Sequence, residues 1–185
     1  MENTFNQEFS LNEGHGTHAP LARGMVWGLI GGLAGTMVMD ILLMASLWAV
    51  GLPFVFCFSL VGDTIARFIS LLGGDIPGGI LTGIVTHYLI GPLVGILFGT
   101  IVVKVPALRV GTKKKCIIAA ILYVEILSQP LLAMAPLLLK MDKLTVTLWF
   151  GGSLFMHLIL AVILGSIVCG GLHLKSLTER RTLSI

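Results

Sequence analysis

Residues 79–103 read GILTGIVTHYLIGPLVGILFGTIVV, a run without a single Asp, Glu, Lys or Arg. A helix of this length rises about 37 Å at about 1.5 Å per residue, enough to cross a hydrocarbon core of about 30 Å. Its hydrophobicity is continuous and does not alternate, which selects a helix over a barrel strand. Three further stretches have the same character: Met25–Val50, Cys116–Leu139 and Thr145–Leu172. The chain has 185 residues, 56% hydrophobic and 11% charged, with a mean hydropathy of +0.99. Soluble domains carry about 25% charged residues. The expected fold is therefore all-α: an integral membrane four-helix bundle forming one domain over residues 25–172.

The same stretch carries a ridge. Gly79, Gly83, His87, Gly91, Gly95 and Gly99 recur at every fourth position. Four residues advance about 400° around a helix, so such a row drifts by only about 40° per step. In span four, Ser153, His157, Ala161, Gly165 and Cys169 repeat the spacing; in span one, Gly28, Gly32, Thr36 and Asp40 do. Small residues spaced by four let helices approach closely where no hydrophobic drive acts between them. Gly28, Gly32, Gly83, Gly91, Gly95, Gly99, Ala161 and Gly165 are accordingly assigned to helix packing. Asp40, His87 and His157 lie on these ridges and so face away from lipid.

His87 and His157 each precede a small residue at +4 (Gly91, Ala161) and a glycine at +8 (Gly95, Gly165). Each of the other two spans holds one carboxylate, Asp40 or Glu125. The pattern reads as two similar helical hairpins. Two-span copies share one topology and would be related by a twofold axis along the membrane normal. The first hairpin has the longer connection. Between spans one and two, residues 59–72 place Leu60, Val61, Ile65, Phe68, Leu71 and Leu72 at helical spacing among polar residues. They predict a short amphipathic helix at the membrane surface or capping the bundle.

Lys104, Arg109, Lys113, Lys114 and Lys115 fill the linker between spans two and three, and Lys175, Arg180 and Arg181 the tail. Basic residues mark the cytoplasmic side. The expected location is the cell (plasma) membrane, multi-pass, with both termini cytoplasmic. The lysine run suits anionic lipid headgroups and gives no ground for nucleic-acid binding. Residues 1–24 are polar and read as a flexible arm without a signal peptide. Gly14-His15-Gly16-Thr17-His18 falls short of a metal-ligand set. Residues 173–185 read as a cytoplasmic tail. Cys57, Cys116 and Cys169 have no close spacing and imply no disulfide framework.

An ionisable group inside a bilayer needs a partner, a wet cavity or a neutral state. Asp40, His87, Glu125 and His157 therefore form the candidate intramembrane polar cluster. As packing contacts they would hold the hairpins in register. As a relay they would pass a proton or bind a cation, since histidine titrates near neutral pH. As ligands, Asp40, His87, Glu125 and His157 suit iron, zinc or manganese, although the Glu-x-x-His spacing of di-iron bundles is missing. As an axial pair, His87 and His157 would hold haem. No cofactor is required by any of these residues, and no soluble-enzyme motif is present, so the chain gives no catalytic assignment.

Gly31-Gly32-Leu33-Ala34-Gly35-Thr36-Met37-Val38-Met39, His87-x3-Gly91-x3-Gly95 and His157-x3-Ala161-x3-Gly165 resemble motifs of small four-span prokaryotic membrane proteins of unknown function. The resemblance covers residues 24–172 and implies a four-helix membrane fold. It brings no catalytic residues. The expected function is an accessory or assembly subunit of a membrane complex, with the lipid bilayer and other membrane subunits or a second copy as partners. The alternative is a small transporter or proton- or cation-conducting protein built on the carboxylate–histidine cluster, and beyond it an intramembrane metal or haem site.

Overall fold

The computed structural model describes residues 18–105, 108 and 112–182, with side chains described over 20–105, 108 and 112–172. The described chain is helical throughout: α1 (His18–Ala49), α2 (Phe56–Leu71), α3 (Ile80–Lys104), α4 (Lys113–Leu139) and α5 (Lys143–Thr182). Four segments are long and apolar enough to cross a membrane: Pro20–Ala49, Ile80–Lys104, Lys113–Leu139 and Lys143–Leu172.

Two boundaries differ from the sequence reading. α1 begins at His18 and takes in the last part of the arm expected to be flexible. Pro20 falls in its first turn, where a missing N–H costs nothing because those donors have no partner inside the helix. α5 continues through the tail to Thr182. Most of the Gly14–His18 segment lies outside the described residues.

α3 shows why the spans face as they do. Leu81, Leu89, Leu93 and Leu97 are exposed along one side, with Val85 and Ile101 in the same row. This row is offset by two positions, about 200°, from Gly83, Gly91, Gly95 and Gly99, which are buried. One side of α3 thus leaves branched apolar groups exposed while the other offers backbone to its neighbours.

The packing order follows from those faces. α1 lies between α3 and α5, and α5 also packs against α4. At Gly28 an added Cβ would run into the Gly95 carbonyl, and at Gly24 it would come within 2.6 Å of the Gly99 carbonyl. At Gly165 it would meet Ala120 Cβ and Ile117 Cα at 3.0 Å, across α5 and α4. The densest interior lies at this end of the bundle, around Phe98, Val102, Cys116, Leu164 and Val168. Ala161 is fully buried there as well. Cys116 and Cys169 are joined as a disulfide tying α4 to α5, with a Cα–Cα separation of 6.5 Å. This corrects the reading from spacing. Cysteines 53 apart in sequence meet because two antiparallel spans bring the start of one to the end of the other.

α3 and α4 barely touch. Their contact is one rung, where Tyr123 Oη donates to the Val94 carbonyl at 3.0 Å and the Phe98 and Tyr123 rings sit 5.3 Å apart. Beyond that rung α2 packs against both helices and lies between them. Gly62 and Gly83 seat it on α3: a Cβ on either would strike the backbone carbonyl of Gly79 or Phe58. Asp63 Oδ1 accepts from the Gly79 N–H at 2.8 Å. A twofold axis between the hairpins would match the α1–α5 contact with an equivalent α3–α4 contact, yet that position is occupied largely by α2.

The tight turn into α5 is also explicit. Lys140 closes α4 in the left-handed region at φ 52°. Asp142 then caps α5, its Oδ1 accepting from Leu144 and Thr145 N–H groups at 3.0 and 3.1 Å. The Thr145 hydroxyl and N–H hold the Asp142 carboxyl below the usual carboxylate range.

Candidate functional site

The gap between α3 and α4 is a cavity of about 160 Å³. α1 contributes Thr36 and Met39 to its wall, α2 Val61, Thr64 and Ile65, and α3 residues from Thr86 to Val94. α4 and α5 close the far side with Val124, Ser128, Ala135, Trp149 and His157 among others. The lining is mostly apolar, and it includes neither Lys nor Arg.

His87 stands at the edge of this space. Its Nδ1 lies 3.0 Å from Asp40 Oδ1, across the α1–α3 interface. Asp40 is 2% exposed, while the His87 side chain keeps 19% of its surface open. The pair forms because both residues sit on the small-residue ridges that press α1 onto α3. With Asp40 ionised the carboxylate can only accept, so Nδ1–H donates; in the neutral imidazole Nε2 then keeps its lone pair, and in the imidazolium it carries a second N–H. Phe58 of α2 meets the imidazole edge-on, with centroids 5.3 Å apart and planes at 73°. Cys57 and Tyr88 lie near enough to the same carboxylate to feel its charge. Burial, with the Asp40 charge behind it, pushes the Cys57 thiol up to about 11. Asp40 Oδ2 is buried without a hydrogen-bond partner.

His157 faces the cavity from α5 and lies within electrostatic reach of His87. Its Nδ1 is buried without a bond of proper geometry, and the Ser153 carbonyl one turn back is the group it leans on. The two histidines singled out in the sequence therefore share one space. Glu125 does not join them. Its Oε2 accepts from Gln129 Nε2 on the same helix at 2.9 Å, Oε1 is buried and unpartnered, and the side chain is not part of the cavity wall. Among the described residues no three His, Cys, Asp or Glu side chains converge as a metal-ligand group. The four-ligand arrangement of Asp40, His87, Glu125 and His157 is thus not assembled in this structure.

Two residues of the site escaped the sequence reading: one against the His87 ring and one in the cavity wall. Phe58 is one, since the amphipathic helix begins at Phe56, earlier than the expected Ser59. Trp149 is the other: its Nε1–H donates to the Leu132 carbonyl at 3.0 Å. That carbonyl lacks its usual helical donor because position 136 is proline. The sequence signal was present in the proline, but not the identity of the donor.

The wall hydroxyls are committed as donors. Thr36, Thr64 and Thr86 give their hydrogens to the carbonyls of Gly32, Leu60 and Thr82 at 2.9, 2.7 and 2.7 Å. Each oxygen that remains can only accept.

Comparison with known protein families, with curated proteins and with solved structures returns no match.

Proposed function

We propose that this small polytopic membrane protein exchanges protons at Asp40–His87, coupling them to passage of a cation or small molecule through the cavity. The observation that carries this reading is a buried carboxylate–imidazole pair whose histidine borders a cavity, with a second histidine on the opposite wall. Ionisable residues within membrane spans mark ion pathways and relays by default. Histidine changes charge near neutral pH, and a carboxylate held against one nitrogen leaves the other to take or give the proton. The charge distribution of the connections supports a plasma-membrane location, with both ends of the chain in the cytoplasm and α2 on the far side. Kinship with small four-span membrane proteins of uncharacterised activity belongs to the same proposal and assigns no role to any residue.

The accessory or assembly-subunit reading is supported at a different place. The ridges of α1 and α3 are used on each other, but Gly151 and Gly152 of α5 face open space beside exposed Leu148 and Phe155. A partner helix, or a second copy, would find room there.

The test is a pH-gradient assay in liposomes. The wild-type protein dissipates the gradient, and Asp40→Asn and His87→Gln abolish that flux while remaining monodisperse and helical in detergent. Equal flux in all three proteins rules out the proton role. A folded wild-type protein without flux leaves the accessory reading.

A further inference from the structure

We propose that the cavity binds a small lipophilic amine in its protonated form, admitted from the bilayer through the gap between α3 and α4. The inference rests on reading Asp40–His87 as the ionisable centre of the site, and it names the ligand.

Size sets the first limit. A cavity of about 160 Å³ is close to the engineered apolar cavity of about 150 Å³ that holds benzene. One six-membered ring with a short substituent fills it. The mostly apolar lining favours such a body over a hydrated inorganic cation, which would keep its water in preference to Leu and Val side chains.

Hydrogen-bond polarity sets the second. Thr36, Thr64 and Thr86 have spent their hydrogens on backbone carbonyls. With Asp40 ionised and His87 neutral, Nε2 presents a lone pair. The wall offers acceptors and asks for a donor. Charge agrees with this. Asp40 is the buried carboxylate behind the wall, and no Lys or Arg lines the space. An ammonium group supplies both the donors and the positive charge; a carboxylate ligand supplies neither.

Access sets the third. Leu127 and Leu131 of α4 line the cavity and are 38% and 48% exposed, so the cavity wall is accessible from the surface beside them. On the membrane-spanning reading of α4, the medium beside these two leucines is lipid. A ligand that partitions into a membrane reaches the site without crossing α2.

The test is equilibrium binding to the full-length protein in lipid vesicles, read by the fluorescence of Trp149, which lines the cavity, with Trp27→Phe and Trp48→Phe removing the other tryptophans. The probes are benzylamine, benzyl alcohol and benzoate, which share a ring and differ in the head group. Benzylamine is expected to saturate at least tenfold tighter than either control and to weaken at least tenfold in Asp40→Asn. Ala135→Leu leaves every polar group in place but fills the cavity, and it is expected to abolish the signal. Benzoate or benzyl alcohol binding as tightly as benzylamine overturns the proposal, as does unchanged binding in Ala135→Leu. Benzylamine binding without proton flux supports the amine site and overturns only the exchange reading. Proton flux without benzylamine binding does the opposite.

Discussion

Gly95→Ala puts the helix packing to a direct test. The added methyl carbon would sit 2.8 Å from Gly32 Cα and 2.9 Å from Gly32 N, and closer still to the Gly28 carbonyl. Carbon atoms in comfortable contact lie about 3.5–4.0 Å apart. The obstructing atoms are backbone, so no side-chain rotation relieves them. α1 and α3 must separate by roughly 0.7–1 Å at this level, and a gap of that size forfeits a quarter to a half of each dispersion contact. Overpacking of this kind costs about 1–3 kcal/mol. Gly151 is the internal control, since a Cβ there meets nothing within 4 Å. Gly151→Ala should gain up to about 1 kcal/mol from helix propensity alone. The two variants would be compared by reversible unfolding in mixed micelles, followed by circular dichroism. The propensity gain applies at both positions and cancels, so a difference of about 1–3 kcal/mol is expected, with Gly95→Ala the weaker protein. Separation at Gly95 would also loosen the Asp40–His87 contact on the same interface, so proton flux should fall with stability. Equal stability of the two variants would refute the backbone-to-backbone seating of α1 on α3.

Three further outcomes are expected. Trp149→Phe leaves the Leu132 carbonyl without a donor and should destabilise the protein by about 1–3 kcal/mol, measured by the same unfolding; a loss no greater than that of Trp48→Phe, at an exposed position, would count against the Pro136 argument. Cys57 is the free thiol, and with its pKa raised to about 11 its maleimide labelling should climb about tenfold per pH unit from 7 to 10. An ordinary thiol levels off near about pH 8.5, so a plateau there would contradict the burial of Cys57. Asp40→Asn removes the charge that helps hold the thiol neutral and should speed labelling at neutral pH.

The spans were legible because length and continuous hydrophobicity are local properties. The Asp40–His87 contact was legible in part: the four-residue ridge fixes which side of α1 and of α3 the two residues occupy, and glycines bring those sides together. Glu125 lies on no such ridge; its neighbours at +3 and +4 are polar, Ser128 and Gln129. Gln129 engages one carboxylate oxygen within the same helix, while the Ser128 hydroxyl bonds the Glu125 backbone carbonyl and Oε1 stays unpartnered. The Cys116–Cys169 bond was invisible because it depends on the antiparallel register of two spans. The position of α2 was open between surface and cap, since an amphipathic pattern states which face is apolar and not what that face meets. Here it meets α3, α4 and the cavity.

The prolines divide the molecule mechanically. Pro92 interrupts α3, and Pro130 and Pro136 interrupt α4, each removing a backbone bond and inviting a bend. α5 contains no proline, and the single proline of α1 lies in its first turn. α1 and α5 therefore form a stiff spine carrying Asp40 and His157, and α3 and α4 are two compliant staves that meet at a single rung. A bend at the prolines would therefore shift α3 and α4 more than α1 and α5. Such a bend in α3 would move His87 relative to Asp40 on the uninterrupted helix. On the proposed exchange reading, the hydrogen bond to Asp40 would be the joint through which a bend of α3 reaches the ionisable pair.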